Sequence, residues 1–466
     1  MATQSSVSSL GVGSGLDLQS LLTNLVAAEK QPITLLQTQQ SSYKTKISAY
    51  GSISSKLSTL QTAANALKSP LSLESYKASS TDTSVASATT GVGSAAGTYA
   101  LHVNSLAKAH TLNSTAFADP TAAIGTGTMR VTVGTASFDV TIDNSNNSLN
   151  GIRDAINASA SNTGVQATVI QDVNGARLAL TSKNTGTTNA ISVAVSETGT
   201  PDFTSATSDP ANRDTTGLSK LAYVTGAATN LTEAQPAANA SLTINGISIN
   251  SASNTLTTAI SGVTVNLSKA GDTTLTVDRD IEGITKLVTS YINAFNDFQT
   301  STRSASSYDS TTKTGQVLNG ESATRSILSA ITRTVQQTPA TVTGTYNNLA
   351  SLGITLNKDG TLAVDSTKLQ KAISTDFTSV KSVLSGYATA TAAAAADLTS
   401  TSGTLTNRVN GLNSSYKLTG TRIDQMNLRL AAFEKRYRDQ FVALDTTVSQ
   451  MNATSSYLSQ QLAKLA

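Results

Sequence analysis

The side chains able to do chemistry in this 466-residue chain are few and scattered. His102 and His110 are the only histidines, the first in a strand-like stretch and the second in a loop, with no acidic residue beside either in the sequence. Zinc takes four ligands in a tetrahedral set, so the pair reads as two incidental histidines. Gly11-Val-Gly-Ser-Gly15 has the glycine density of a phosphate loop, in which backbone N–H groups cradle an anion. It follows no strand and lacks the Gly-Lys-Ser/Thr ending, so it reads as a flexible lead-in to a helix. Asp143–Asn150 offers calcium-like oxygens, but has no glycine at the sixth loop place and no glutamate at the twelfth, and reads as a turn. The densest basic cluster, Lys435, Arg436 and Arg438 around Tyr437, reads as a solvated helix face. No local Ser-His-Asp arrangement occurs, and the absence of cysteine removes thiolate chemistry and disulfides. The expectation is a protein that is not an enzyme and uses no metal and no cofactor.

Composition narrows the class further. The chain is long enough for several domains. Charged residues are 13%, about half the usual share, and aromatics are 4%, so each local core must be small and built from Val, Ile, Leu and Ala. A net charge of +3 is too dilute for an electrostatic nucleic-acid footprint. No apolar run reaches the eighteen residues of a membrane span, and Met1–Glu29 contains no Lys or Arg to form the basic start of a secretory signal.

What remains to position is a surface. From Leu405 onward apolar residues recur at alternating steps of four and three, through Leu412, Ile423, Leu430, Phe433, Tyr437, Phe441, Leu444, Val448, Met451, Leu458, Leu462 and Leu465. That spacing is a coiled-coil seam, and the two steps of four at 433–437–441 are a stutter. Thr419 and Ser455 put polar residues in the seam, and Gly411 and Gly420 predict a bend or break near its start. The first seventy residues supply a partner of the same stepping, through Leu36, Gln40, Tyr43, Ile47, Tyr50, Leu57, Leu60, Ala64 and Leu67. Asp17 is the candidate N-cap, and Pro32 predicts a break between two N-terminal helices. A seam with Gln40, Ser54, Thr419 and Ser455 in it is weak, which predicts legs poorly ordered in the free protein.

Between these ends the period is two. Met129–Val133 and Ser137–Ile142 flank a three-residue loop, Gly134–Ala136; Ser148 caps a short helix with Ile152 and Ile156 inward; Val165–Gln171 and Ala176–Thr181 surround Asn174-Gly175; Ile191–Val195 adds a strand. A degenerate copy follows: a hairpin about Asn245-Gly246, a short helical piece at Thr255–Ile260, and the strands Val263–Leu267 and Thr273–Val277. Helix returns at Asp280, and a hairpin around Asn357–Gly360 precedes Asp365 as a helix cap. The fold class is therefore multi-domain α+β. N- and C-terminal helices pair as a coiled-coil stalk and helical bundle, with two inserted β-rich domains. The expected division is 1–45 with 418–466 as a leg, 46–80 with 280–417 as a bundle plus hairpin, 81–120 with 226–279 as one β-rich domain and 121–225 as an outer one.

The opening Gly11–Asp17 through Val26–Pro32, the segment Leu352–Leu369 and the ending Met451–Leu458 resemble the flagellar filament cap protein family (FliD, a hook-associated protein), and Ser137–Lys183 resembles the flagellin hook IN motif. The resemblance spans nearly the whole chain. It implies a structural protein exported through the flagellar apparatus without a cleaved signal peptide and assembled as a homo-oligomeric ring at the extracellular filament tip, where it promotes flagellin folding and polymerisation. It implies flagellin, the hook–filament junction protein and a cytoplasmic export chaperone as partners. Leu458, Leu462 and Leu465 are the expected chaperone or filament contact. Leu36, Tyr43, Ile47, Leu430, Phe433, Tyr437, Phe441, Leu444, Val448 and Met451 are the expected leg seam. An alternative reading is a tip adhesin that binds a host or mucin surface through residues 121–225.

Overall fold

The computed structural model describes residues 10–197, 203 and 212–463. In chain order it runs α1 (Leu18–Lys68), α2 (Pro70–Leu73), β1 (Tyr76–Ser80), β2 (Ala86–Thr90), β3 (Gly97–Ser105), β4 (Ala109–Asn113), β5 (Gly127–Val133), β6 (Ala136–Ile142), α3 (Leu149–Ala158), β7 (Val165–Asp172), β8 (Gly175–Thr185), β9 (Ile191–Ser196), β10 (Tyr223–Val224), β11 (Ala228–Thr229) and β12 (Thr232–Gln235). It continues through β13 (Ala240–Ile244), β14 (Ile247–Ser251), β15 (Thr255–Ile260), β16 (Val263–Leu267), β17 (Gly271–Arg279), α4 (Ile281–Ser306), β18 (Tyr308–Asp309), β19 (Thr314–Gly315), α5 (Ser322–Gln336), β20 (Ile354–Leu356), β21 (Leu362–Val364), α6 (Ser366–Thr375), α7 (Phe377–Thr399) and α8 (Thr404–Ala463). Two compact units result, Met1–Leu73 with Ile281–Ala466, and Glu74–Asp280. The α+β class with paired terminal helices around a β-rich insertion is as the periodicities predict.

In the helical unit α1 packs on α8, α7 and α4. One core joins Tyr50, Ile53, Leu57, Leu60 and Leu67 of α1 to Phe295 and Phe298 of α4, Ile327 and Ile331 of α5, and Val380, Leu384 and Ala388 of α7. The Ala-rich run in α7 is buried here, where small side chains let helices approach closely. Asp365 caps α6 by accepting from the N–H groups of Thr367 and Lys368, and Asp17 caps α1 by accepting from Ser20. Two expectations of broken helices fail. Pro32 lies inside an uninterrupted 51-residue α1. The carbonyl its ring leaves without a donor belongs to Ala28, and both residues are exposed, so water takes the place of the lost bond. Likewise α8 runs 60 residues straight through Gly411 and Gly420.

The β-rich unit holds two cores, each between antiparallel sheets. The sheet β1-β17-β3-β13-β14 and the sheet β15-β16-β2 enclose Leu101, Val103, Leu242, Val265, Leu275 and Val277. The sheets β11-β10-β9-β5-β6 and β12-β4-β8-β7 enclose Met129, Val131, Phe138, Leu178, Leu180 and Val193, with Ile152 and Ile156 of α3. Ser148 caps α3 by accepting from the Gly151 N–H. Asn245-Gly246 forms its two-residue turn with both residues at positive φ, 50° and 81°. The loop after β5 is shorter than expected, Gly134-Thr135, because Val133 pairs with Ala136. The turn after β7 falls one residue early, on Val173-Asn174, because Asp172 pairs with Gly175. Thr255–Ile260 is strand, not helix. Leu256 and Ile260 stand four apart, a spacing that shares a face in either structure, and the β-branched Thr255, Thr257 and Thr258 favour the pleated one.

Glu321, just ahead of α5, ties three helices together. Its carboxylate accepts from Lys46 Nζ of α1 at 2.8 Å, from Arg408 Nε and Nη2 of α8 at 2.8 and 2.9 Å, and from the buried Tyr50 hydroxyl at 3.1 Å. Burial pushes this carboxyl's pKa up, but Lys46 and Arg408 outweigh it, so Glu321 lies below its ordinary value. Burial also raises the Tyr50 phenol, which stays neutral and donates. A depressed folded pKa adds stability that is present above the unfolded value, about 4.3, and disappears as pH falls through the folded one. Glu321→Gln keeps the volume and removes the charge. It is expected to cost the helical unit about 1–3 kcal/mol at pH 7, read from urea midpoints, with the gap to wild type closing on acidification. A gap that is the same at pH 7 and in acid contradicts this.

Candidate functional site

The two terminal helices run antiparallel, α1 against α8. Their register is visible at the polar positions that weaken the seam. Gln40 Nε2 reaches the Tyr416 carbonyl at 3.4 Å, and a Cβ on Gly420 would stand 2.8 Å from that nitrogen. Gly420 is thus where α8 makes room for Gln40, and Ala there displaces the amide. Buried Thr419 turns its hydroxyl back to the Ser415 carbonyl at 2.9 Å. Both polar intrusions are therefore satisfied rather than left as defects.

Further toward the N-terminus the glycine-rich loop proves to be an anion cradle after all, and the anion is the chain's own. Asp445 of α8 accepts from the Ser14 N–H at 2.7 Å, the Ser14 hydroxyl at 2.5 Å and the Gly13 N–H at 3.3 Å. Gly11, at φ 95°, makes the turn into this loop, and a Cβ there would meet the Leu16 carbonyl. Beneath the loop Leu10, Leu18 and Leu22 are buried against Tyr437 and Phe441. Those aromatics belong to a row set by the 433–437–441 stutter, with ring centroids 4.5 Å apart for Phe433–Tyr437 and 6.2 Å for Tyr437–Phe441. The basic cluster beside them is a solvated face, as expected. Lys435 pairs with Asp439 and Arg438 with Glu434, each one turn away, and the Arg436 guanidinium stands 5.3 Å from the Tyr437 ring centre. Asp445 and Ser14 were not singled out in the sequence; the loop carried the signal, but its acceptor is more than 400 residues away.

The seam residues divide by cover. Leu36, Tyr43, Ile47, Leu430, Phe433, Tyr437, Phe441 and Val448 are half-buried, whereas Leu444 and Met451 are exposed. From Met451 to Ala463 every residue is exposed, with Leu458 at 55% and Leu462 at 67%. Leu465 lies outside the described residues. Met451, Leu458 and Leu462 still share one face with Thr447, Thr454 and Ser455, forming a shallow open groove along α8.

His102 lies on a strand as read, whereas His110, read as a loop residue, lies in β4. His102 Nδ1 lies 2.6 Å from Asp272 on an exposed sheet face. His110 is buried on β4. Its Nδ1 accepts from the Ile191 N–H at 2.8 Å, so Nε2 carries the proton toward Glu233 Oε1 at 2.9 Å. The carboxylates come from strands distant in sequence, and both contacts join strands within the β-rich unit. Asp143 takes the N–H and hydroxyl of Ser145 on one oxygen, closing a turn. Among the described residues no three acidic or histidine side chains gather to hold a metal ion, and no helix is long and apolar enough to cross a membrane.

Fold and surface together define a two-unit α+β protein whose distant chain ends pair as helices and whose last helix presents an uncovered apolar stripe. Comparison with known proteins gives the family. Residues 14–110 match the flagellar hook-associated protein 2 N-terminus, 237–453 its C-terminus, and 128–184 the flagellin hook IN motif. The chain is 35% identical to flagellar hook-associated protein 2 of Escherichia coli K12 and 33% identical to the B-type flagellar hook-associated protein 2 of Pseudomonas aeruginosa PAO1, over 98% of this chain and 98% of each relative. The crystal structure of the D1-D2-D3 domains of the flagellar cap protein FliD from Escherichia coli superposes with a TM-score of 0.64 at 29% identity, covering 78% of this chain and 99% of that one. The chain belongs to the flagellar hook-associated protein 2 (FliD) family.

The cradle gives a direct test. The Ser14 hydroxyl, followed by the loop N–H groups, holds the Asp445 carboxyl below its usual value. The contact is therefore formed above the ordinary carboxylate range and lost as pH falls through the depressed one. In Asp445→Ala, hydrogen-exchange protection at the Gly13 and Ser14 amides is expected to fall toward none while that of the bundle helices stays. Retained protection at both amides removes Asp445 as their acceptor.

Proposed function

We propose that this protein caps the flagellar filament, assembling as a homo-oligomeric ring at its extracellular tip and promoting the folding and insertion of flagellin beneath it. The observation that carries the reading is family membership across 98% of the chain, joined to a last helix whose apolar face the described residues leave uncovered. In this reading the outer parts of α1 and α8 are legs, the remaining helices a bundle, and the β-rich unit an inner and an outer head domain. A cap needs surfaces that fit successive neighbours rather than an acid–base site, and the stripe at Met451, Leu458 and Leu462 has that character. A cytoplasmic export chaperone covers it first; flagellin or the hook–filament junction protein lies against it after export, the protein leaving the cell without a cleaved signal peptide. Contact with a host surface is a second reading, supported by the β7–β8 hairpin tip, where Val173 is 99% exposed and Ile170 52%.

Deletion of the gene is the decisive experiment. The expected result is loss of motility with flagellin released unpolymerised into the medium; filaments of normal length would sink the capping reading. For the stripe, burying one leucine is worth roughly 1.5–3 kcal/mol. Leu458→Ser with Leu462→Ser is therefore expected to weaken chaperone binding by one or more orders of magnitude in calorimetry, with the melting temperature of the protein unchanged because both side chains are exposed. Unchanged affinity together with normal swimming restricts the stripe to a local role.

A further inference from the structure

A second surface, separate from the leg helices, lies in the helical unit. Arg303 of α4 and Arg325 and Arg333 of α5 line one open groove together with Ser329, Thr332 and Gln336. All three guanidiniums are exposed, and among the described residues none makes a hydrogen bond or ion pair to a carboxylate. Four other arginines are paired: Arg130, Arg153, Arg177 and Arg408 each bond to a carboxylate at 2.7–2.9 Å. Asp359 feels the charge of Arg303 without a hydrogen bond to it, which leaves the fork of that guanidinium open. Behind the groove the fully buried Gln299 donates to Thr332 at 2.6 Å and fixes that side of the wall.

The charges of the two units say what fits. The helical unit carries 22 Lys and Arg against 14 Asp and Glu, a formal +8; the β-rich unit carries 10 against 15, a formal −5. Much of that negative charge sits on exposed turns at Asp82, Asp119, Asp143 and Asp214, each with its carboxylate accepting from the N–H and hydroxyl of the residue two places on. Those bonds keep these carboxyls below their usual pKa, so they remain charged in mild acid.

We propose that the Arg303–Arg325–Arg333 groove is a docking surface for carboxylates on the β-rich unit of a second copy of this chain. Arg325 and Arg333 stand eight residues apart on one helix face, about 12 Å, so the groove takes two carboxylates at that separation, or four residues apart along a strand. Paired guanidinium–carboxylate forks set orientation and register as well as strength. The inference rests on the ring reading above and adds to it which surface meets which.

The test is sedimentation of the full-length protein over a concentration series, at low salt and again near 1 M salt, where the screening length is only about 3 Å. Wild type is expected to self-associate and to lose roughly tenfold or more in affinity at high salt. Arg325→Glu with Arg333→Glu is expected to lose at least that much at low salt and to show little further salt dependence. Lys313→Glu with Lys371→Glu, the same change in net charge elsewhere on the helical unit, is expected to associate as wild type does. Self-association of the arginine variant equal to wild type, or an equal loss in the lysine control, overturns the groove and leaves the ring standing. A wild type that stays monomeric at every concentration overturns both.

Discussion

The antiparallel contact between α1 and α8 closes the longest loop in the chain, and the architecture follows from it. Ser14 meets Asp445, Gln40 meets Tyr416, and Lys46 meets Arg408 through Glu321. Residues 74–280 become an inserted unit with two cores of its own, while α4 to α7 join the core of the terminal helices. The entropy of closing so long a loop rises only slowly with its length, so a few hundred inserted residues cost little more than a short connection. The closure must still be repaid locally, and the buried Tyr50, Leu57, Leu60 and Leu67 face of α1 against α4, α7 and α8 does most of that.

Cover along this contact is graded. Near Tyr50 the α1 face is fully buried and its one hydroxyl is bonded. By Gln40 the seam has turned polar and relies on Gly420 for room. At Leu18 and Leu22 only a small cluster remains, closed by a loop held through a single half-buried carboxylate. Few buried apolar contacts and exposed backbone hydrogen bonds are the marks of segments that open at low free energy. The contact is thus firmest where α1 joins the bundle and weakest toward the N-terminal cluster.

How much of this the sequence reveals depends on whether the signal is local. The α1 and α8 helices, the Ser148 and Asp365 caps and the Asn245-Gly246 turn are all written within a few residues, and each is found where periodicity or turn chemistry puts it. The failures come where a local rule meets a context it does not contain. Pro32 breaks a helix only if the freed carbonyl has no water, and on an exposed face it has. Leu256 and Ile260 at i,i+4 fit helix and strand equally. The glycine loop of residues 11–15 reads as a cradle with nothing in it, because its anion lies at the other end of the chain. Glu321, His110 and the arginine groove are invisible for the same reason: each takes its meaning from partners on other elements.

The exposed end of α8 follows from these same facts. An isolated stretch the length of Met451–Ala463 is marginal as a helix in water, since the first turn must be nucleated at a loss. Here it needs no nucleus. It continues a helix already held by the bundle at Leu405 and Leu412 and by the N-terminal cluster at Tyr437 and Phe441. Propagation adds one hydrogen bond for each residue fixed, and Ala, Leu, Gln and Ser at these positions do not resist it strongly. The stripe of Met451, Leu458 and Leu462 is therefore presented already in helical form, so a partner that covers it gains the apolar burial without first ordering the backbone. Thr454 and Ser455 dilute the apolar face. The dilution also limits what any cover of this face gains, because only Met451, Leu458 and Leu462 offer large apolar area there.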